Sequence, residues 1–121
     1  MSKAENIEER LRTLMRTVPE IEGSAVISSD GLMIASAFAS RISEDRVAAM
    51  GAALLSVAER INTELEKGTM DLALIKGKEG NIILMYAGKE AILLCITTKE
   101  AKLGLLFYEM RKTAEEIMKM I

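Results

Sequence analysis

Cys95 is the single cysteine of the chain, and there is no histidine anywhere to activate it. Losing histidine removes the commonest general base near neutral pH and the commonest transition-metal ligand together. Cys95 also lies within the apolar run Ile92-Leu93-Leu94-Cys95-Ile96, so it reads as a structural thiol of the core rather than a nucleophile. Phosphate-cradling loops need glycines before a lysine and then a serine or threonine; Gly77-Lys78-Glu79 and Gly88-Lys89-Glu90 put glutamate in place of the hydroxyl. Both read as turns. The closest carboxylates, Glu8-Glu9, Glu44-Asp45 and Glu115-Glu116, are adjacent pairs, and adjacent helix residues point about 100° apart instead of converging on one site. No catalytic residue, cofactor or metal-ligand set is expected.

Whatever this chain does must therefore come from its elements and surfaces. Its 121 residues fit one domain spanning residues 1–121, with a globular share of apolar and charged side chains. The net charge of −2 comes from interleaved acids and bases, which leaves no basic field for nucleic acid or an anionic lipid surface. The longest uncharged stretch, Val47 to Ala58, is far shorter than the roughly 20 residues of a membrane helix. Glu5, Glu8, Glu9, Arg10, Arg12 and Arg16 are incompatible with a signal peptide, and one cysteine allows no intrachain disulfide, so a cytoplasmic location is expected.

Ile7, Leu11, Leu14, Met15 and Val18 form a helical stripe that Pro19 ends. Ser24–Ser28 and Leu32–Ala37 are short strands around Ser29-Asp30-Gly31, a tight hairpin signal. Ser43 can cap a long second helix from about Glu44 to Lys67, with Gly68 as its left-handed terminating residue. Met70–Ile75, Ile82–Ala87 and Ala91–Ile96 are three strands joined by short turns, hence an antiparallel meander. Thr97 or Thr98 can cap a last helix whose stripe runs from Leu103 through Leu106, Phe107, Met110, Ala114 and Ile117 to Ile121. Met15, Met50, Met110 and Met118 sit at core spacing, while Met118, Met120 and Ile121 at the chain end are available to a partner.

The fourth and fifth strands are apolar on both faces, so helices must cover both sides of the sheet. The second helix carries nine consecutive residues without a polar side chain, Val47 to Leu55, more than one buried stripe needs. Alanine can be exposed at little cost, but Gly51 within a helix favours close approach of another backbone. Hairpin and meander merge into one sheet in the order 2-1-5-4-3, leaving the third strand as an edge with no proline and one charge. A symmetric homodimer follows, with the third strands paired antiparallel and the second helices side by side. Its expected interface residues are Met70, Leu72, Leu74, Met50, Gly51 and Leu54.

Val18-Pro19-Glu20-Ile21-Glu22-Gly23 before a strand, Ser28-Ser29-Asp30-Gly31-Leu32 at the hairpin, the alanine-rich helix from Val47, and Lys102-Leu103-Gly104-Leu105-Leu106 opening the last helix are similar to Roadblock/LC7 domain proteins of the stand-alone prokaryotic kind. The likeness covers nearly the whole chain. It implies an α/β (α+β) domain of order α-β-β-α-β-β-β-α, a homodimer with a continuous ten-stranded sheet, and a non-catalytic role. Members regulate small Ras-like GTPases or serve as scaffolds and adaptor light chains. In the GTPase regulators the paired second helices meet the GTPase, which here implies Asp45, Arg46, Ala49, Ala52, Ala53 and Ser56 as the partner-binding residues. Arg41, Arg46, Arg60 and Arg111 are the arginines that hydrolysis could recruit, although the resemblance does not require an arginine finger. A dimeric scaffold without a GTPase is the alternative. A small-molecule sensor ranks last, for lack of aromatic and histidine side chains to line a site.

Overall fold

The structure, a computed structural model, describes residues 1–39 and 41–121. Its elements are α1 (Lys3–Thr17), β1 (Ile21–Ser28), β2 (Met33–Phe38), α2 (Glu44–Glu64), β3 (Leu72–Lys76), β4 (Gly80–Tyr86), β5 (Ala91–Thr98) and α3 (Leu103–Met118). The strands form one antiparallel sheet in the order β2-β1-β5-β4-β3, as expected. Three of the joins are short turns, and the central pair β1–β5 is the long-range closure that makes one sheet of two pieces.

Helices cover both faces. Ile7, Leu11, Leu14, Leu106, Met110 and Ile117 press α1 and α3 onto Val26, Ile83, Leu93 and Cys95 of one face. Val47, Ala48 and Leu55 of α2 pack on Ala25, Ile27, Ile92 and Leu94 of the other. The double coverage explains why β5 alternates nothing: its first five residues are all buried. α1 opens on a capping box in which Glu5 N–H donates to Ser2 Oγ and Ser2 N–H donates to Glu5. Among the described residues no helix is long and apolar enough to cross a membrane.

Several boundaries differ from the sequence reading, each for a local reason. β1 begins at Ile21, three residues before Ser24, because Ile21 pairs with Thr97 across an irregular register beside Glu22. α2 stops at Glu64, not Lys67: Glu66 takes the left-handed conformation first, at φ 59°, and Gly68 follows at 85°. Thr97 and Thr98 do not cap α3. They belong to β5, where Asn81 Nδ2 donates to Thr97 Oγ1, and Lys102 stands at the cap without a side-chain bond. Met70 precedes β3 instead of opening it.

Candidate partner-binding surface

An α-helix 21 residues long presents three sides when it lies on a sheet, and α2 uses each differently. Its buried side is Val47, Ala48, Gly51 and Leu55. Gly51 belongs here and not at a helix–helix contact: a Cβ on it would come within 3.0 Å of Ile27 Cδ1 and 3.2 Å of Leu94 Cδ1. The missing side chain lets α2 settle onto its own sheet, which replaces the reason given for Gly51 from sequence.

The second side is an apolar flank at helical spacing, Met50, Leu54, Val57, Ile61 and Leu65. Met50 is 59%, Val57 55% and Ile61 51% exposed. Met50 and Leu54 overhang a groove of about 160 Å³ whose floor is Ile75, Ile82 and Ile96, with Ile75 itself 48% exposed on the edge strand. Flank and strand edge thus form one continuous apolar strip along one side of the chain.

The third side faces away from the sheet and carries short side chains: Asp45, Arg46, Ala49, Ala53 and Ser56 are exposed. Ala52 is half-buried because the β1–β2 turn leans on it; a Cβ on Gly31 would sit 3.6 Å from Ala52 Cβ. Gly31 adopts φ 87°, which allows that turn to close.

The six expected interface residues are therefore not brought together. Met50 and Leu54 share the apolar flank, but Gly51 and Met70 are buried in the chain's own core. Leu72 and Leu74 pair with Met85 and Ile83, whose side chains face α3, so they lie on the opposite side of the sheet from α2. Beside α2 the edge strand shows Ala73 and Ile75 instead. Sequence reading missed Ile75, Val57, Ile61 and Leu65; the i, i+4 recurrence of Val57, Ile61 and Leu65 was the available signal for three of them.

Polar contacts hold this arrangement. Glu59 accepts from Met70 N–H at 2.8 Å and from the Tyr86 hydroxyl, tying α2 to the approach to β3 and to β4. Burial, then that hydrogen bond, pushes Tyr86 up to about 12. Arg111 grips Asp71 with two hydrogen bonds, of 2.9 and 2.7 Å, and holds its carboxyl below the usual range. Cys95 is fully buried, and burial pushes its thiol far above the ordinary range. Met50 and Met118, placed at core spacing by sequence, are exposed, whereas Met110 is buried and Met15 half-buried.

Comparison with known proteins agrees with this architecture. The Roadblock/LC7 domain model matches residues 7–97. MJ1340, an uncharacterized protein of Methanocaldococcus jannaschii, is 37% identical over 100 residues, which are 83% of this chain and 87% of that protein. MglB with tetrameric arrangement superposes with a TM-score of 0.92 at 18% identity, over 99% of this chain and 90% of that one. A Roadblock/LC7 domain from Streptomyces avermitilis superposes with a TM-score of 0.86 at 21% identity, over 91% and 92% of the two chains.

Proposed function

The chain belongs to the Roadblock/LC7 domain family, and from that premise we propose that it is a non-catalytic homodimeric regulator or platform for a small Ras-like GTPase. The observation that carries the reading is the division of α2 into two exposed sides of different chemistry. The apolar flank of Met50, Leu54, Val57 and Ile61, continuous with Ile75, has the character of a permanent contact, which buries large apolar groups. A second copy supplies that contact when the β3 edges pair antiparallel, because one two-fold axis then covers the open edge and the flank together.

The outward side of Asp45, Arg46, Ala49, Ala53 and Ser56, with Ala52 at its margin, has the opposite character. Small side chains and a few charges suit a reversible partner that approaches the backbone closely without being trapped. Doubled across the dimer, this side forms the platform on which the GTPase sits. The tetrameric arrangement named for one MglB structure is consistent with self-association in this fold. Regulation proceeds by positioning the GTPase's own residues, since the two arginines on this side, Arg46 and Arg60, are exposed surface groups and Arg60 is held by Glu64 at 3.0 Å.

A titration of the dimer with a Ras-like GTPase encoded close to it in the genome tests the reading. Ala49→Glu is expected to weaken binding by about tenfold or more while leaving the dimer mass unchanged. Wild-type protein that shows no binding to such a GTPase in either nucleotide state, while remaining a dimer, would leave the scaffold role in its place.

A further inference from the structure

We propose that the α3 side of the paired sheet carries one empty helix position on the dimer axis, and that an amphipathic helix of a partner protein with acidic flanks fills it. The inference rests on the dimer reading above and concerns the face opposite α2. On that face α1 packs over β1 and β2, and α3 over β4 and β5. Two strands span about 10 Å, which is also the packing distance of neighbouring helices. The Arg10–Glu116 ion pair confirms that α1 and α3 are direct neighbours. This face therefore takes one helix for every two strands.

β3 is the fifth strand and is left without a helix of its own. Leu72 and Leu74 point to that side, half-buried and 38% exposed respectively. Pairing two β3 edges covers their backbones but not these side chains. The joined sheet then has room for five helices on this face, and the two chains supply four. The vacancy lies over β3 and its mate, with the two α3 axes about 19 Å apart, so that a single helix fits at about 10 Å from each.

The walls suit such a guest. Phe107 is half-buried on α3, and about three turns further on exposed Met118 lines a recess of about 230 Å³ with Met85, Ala114, the Arg111–Asp71 pair and, at its rim, the acid Glu115, unpaired among the described residues. Lys76 lies on the same side of β3 as Leu74 and is exposed, so each end of the vacancy presents a cation. Asp71 is already satisfied by Arg111. An apolar stripe flanked by acidic residues is the complementary surface. α3 has 16 residues, so a guest of about that length matches the wall.

The probe is a synthetic 16-residue peptide with Leu at i, i+3, i+4, i+7 and i+11 and Glu at its flanks, titrated by calorimetry and followed by circular dichroism. One peptide per two chains, gain of helix, and a loss of affinity of about tenfold in both Leu74→Glu and Met118→Glu, but not in Ala49→Glu, is the expected result. One peptide per chain, no saturable binding up to millimolar peptide, or unchanged affinity in both variants would overturn it. Light scattering on the same samples separates the two readings: a monomer refutes the dimer itself, whereas a dimer that ignores the peptide refutes only the vacancy. Because Leu74 lies on the pairing strand, Met118→Glu decides the matter if Leu74→Glu dissociates the dimer.

Discussion

Gly80 sits where β4 presses hardest on its neighbour: a Cβ there would lie 2.1 Å from the carbonyl oxygen of Thr97. Backbone cannot rotate away as a side-chain tip can, so Gly80→Ala should lower stability by at least ~2 kcal/mol in a denaturant titration. Cys95 provides a second test through pH. Burial raises its thiol above the ordinary 9.0, so the unfolded chain ionises first and stability must fall as pH rises beyond about 9. The fall should approach ~1.4 kcal/mol per pH unit for one group and be smaller in Cys95→Ala. Cys95 was legible from its neighbours, since an apolar run on both sides admits little but burial. Met50 and Met118 were not: helical spacing identifies an apolar stripe and is silent on whether the covering surface belongs to the same chain. Gly51 was noticed for the correct reason, close approach, but the approaching groups are Ile27 and Leu94 of its own sheet.

At the scale of elements, turn chemistry carried most of the reading. Asp30-Gly31, Gly80 after Lys78-Glu79, and Gly88 mark the hairpins, and the hairpins fix the order within each piece, β2-β1 and β5-β4-β3, which the β1–β5 pair then joins. Strand parity was harder to read. The one-letter string groups Leu72 and Leu74 with Met50 and Leu54, but a strand's facing is set by its register with β4, and the neighbours Ala73 and Ile75 are the ones beside α2. Helix ends were lost for a similar reason, because Thr97 and Thr98 are as suited to a strand as to a cap, and the Asn81 contact recruits Thr97 to the strand. α3 consequently starts from Lys102 with no side-chain cap. Lys102→Ser should raise thermal stability by roughly 0.5–1 kcal/mol, measured as a higher Tm, by giving a free backbone N–H an acceptor. An unchanged or lower Tm would mean that Lys102 contributes something the cap does not replace.

The whole molecule has unequal edges. β2 is irregular, with its register shifting past Ile34, and α1 lies against it; β3 is regular, short and carries exposed Leu74 and Ile75. A bulged edge resists further pairing and a regular one invites it, so the proposed association through β3 would close after two copies instead of running into a filament. The apolar flank of α2 follows the same side of the molecule, and the outward side of α2 would stay exposed in the proposed dimer. Self-association of this kind makes stability depend on protein concentration, because folding and dimerisation are then linked. The proposed function depends on that dimer, and the mass of the chain in solution at micromolar concentration tests it most directly. Light scattering should return twice the 13.3 kDa of one chain. A mass of 13.3 kDa would contradict it.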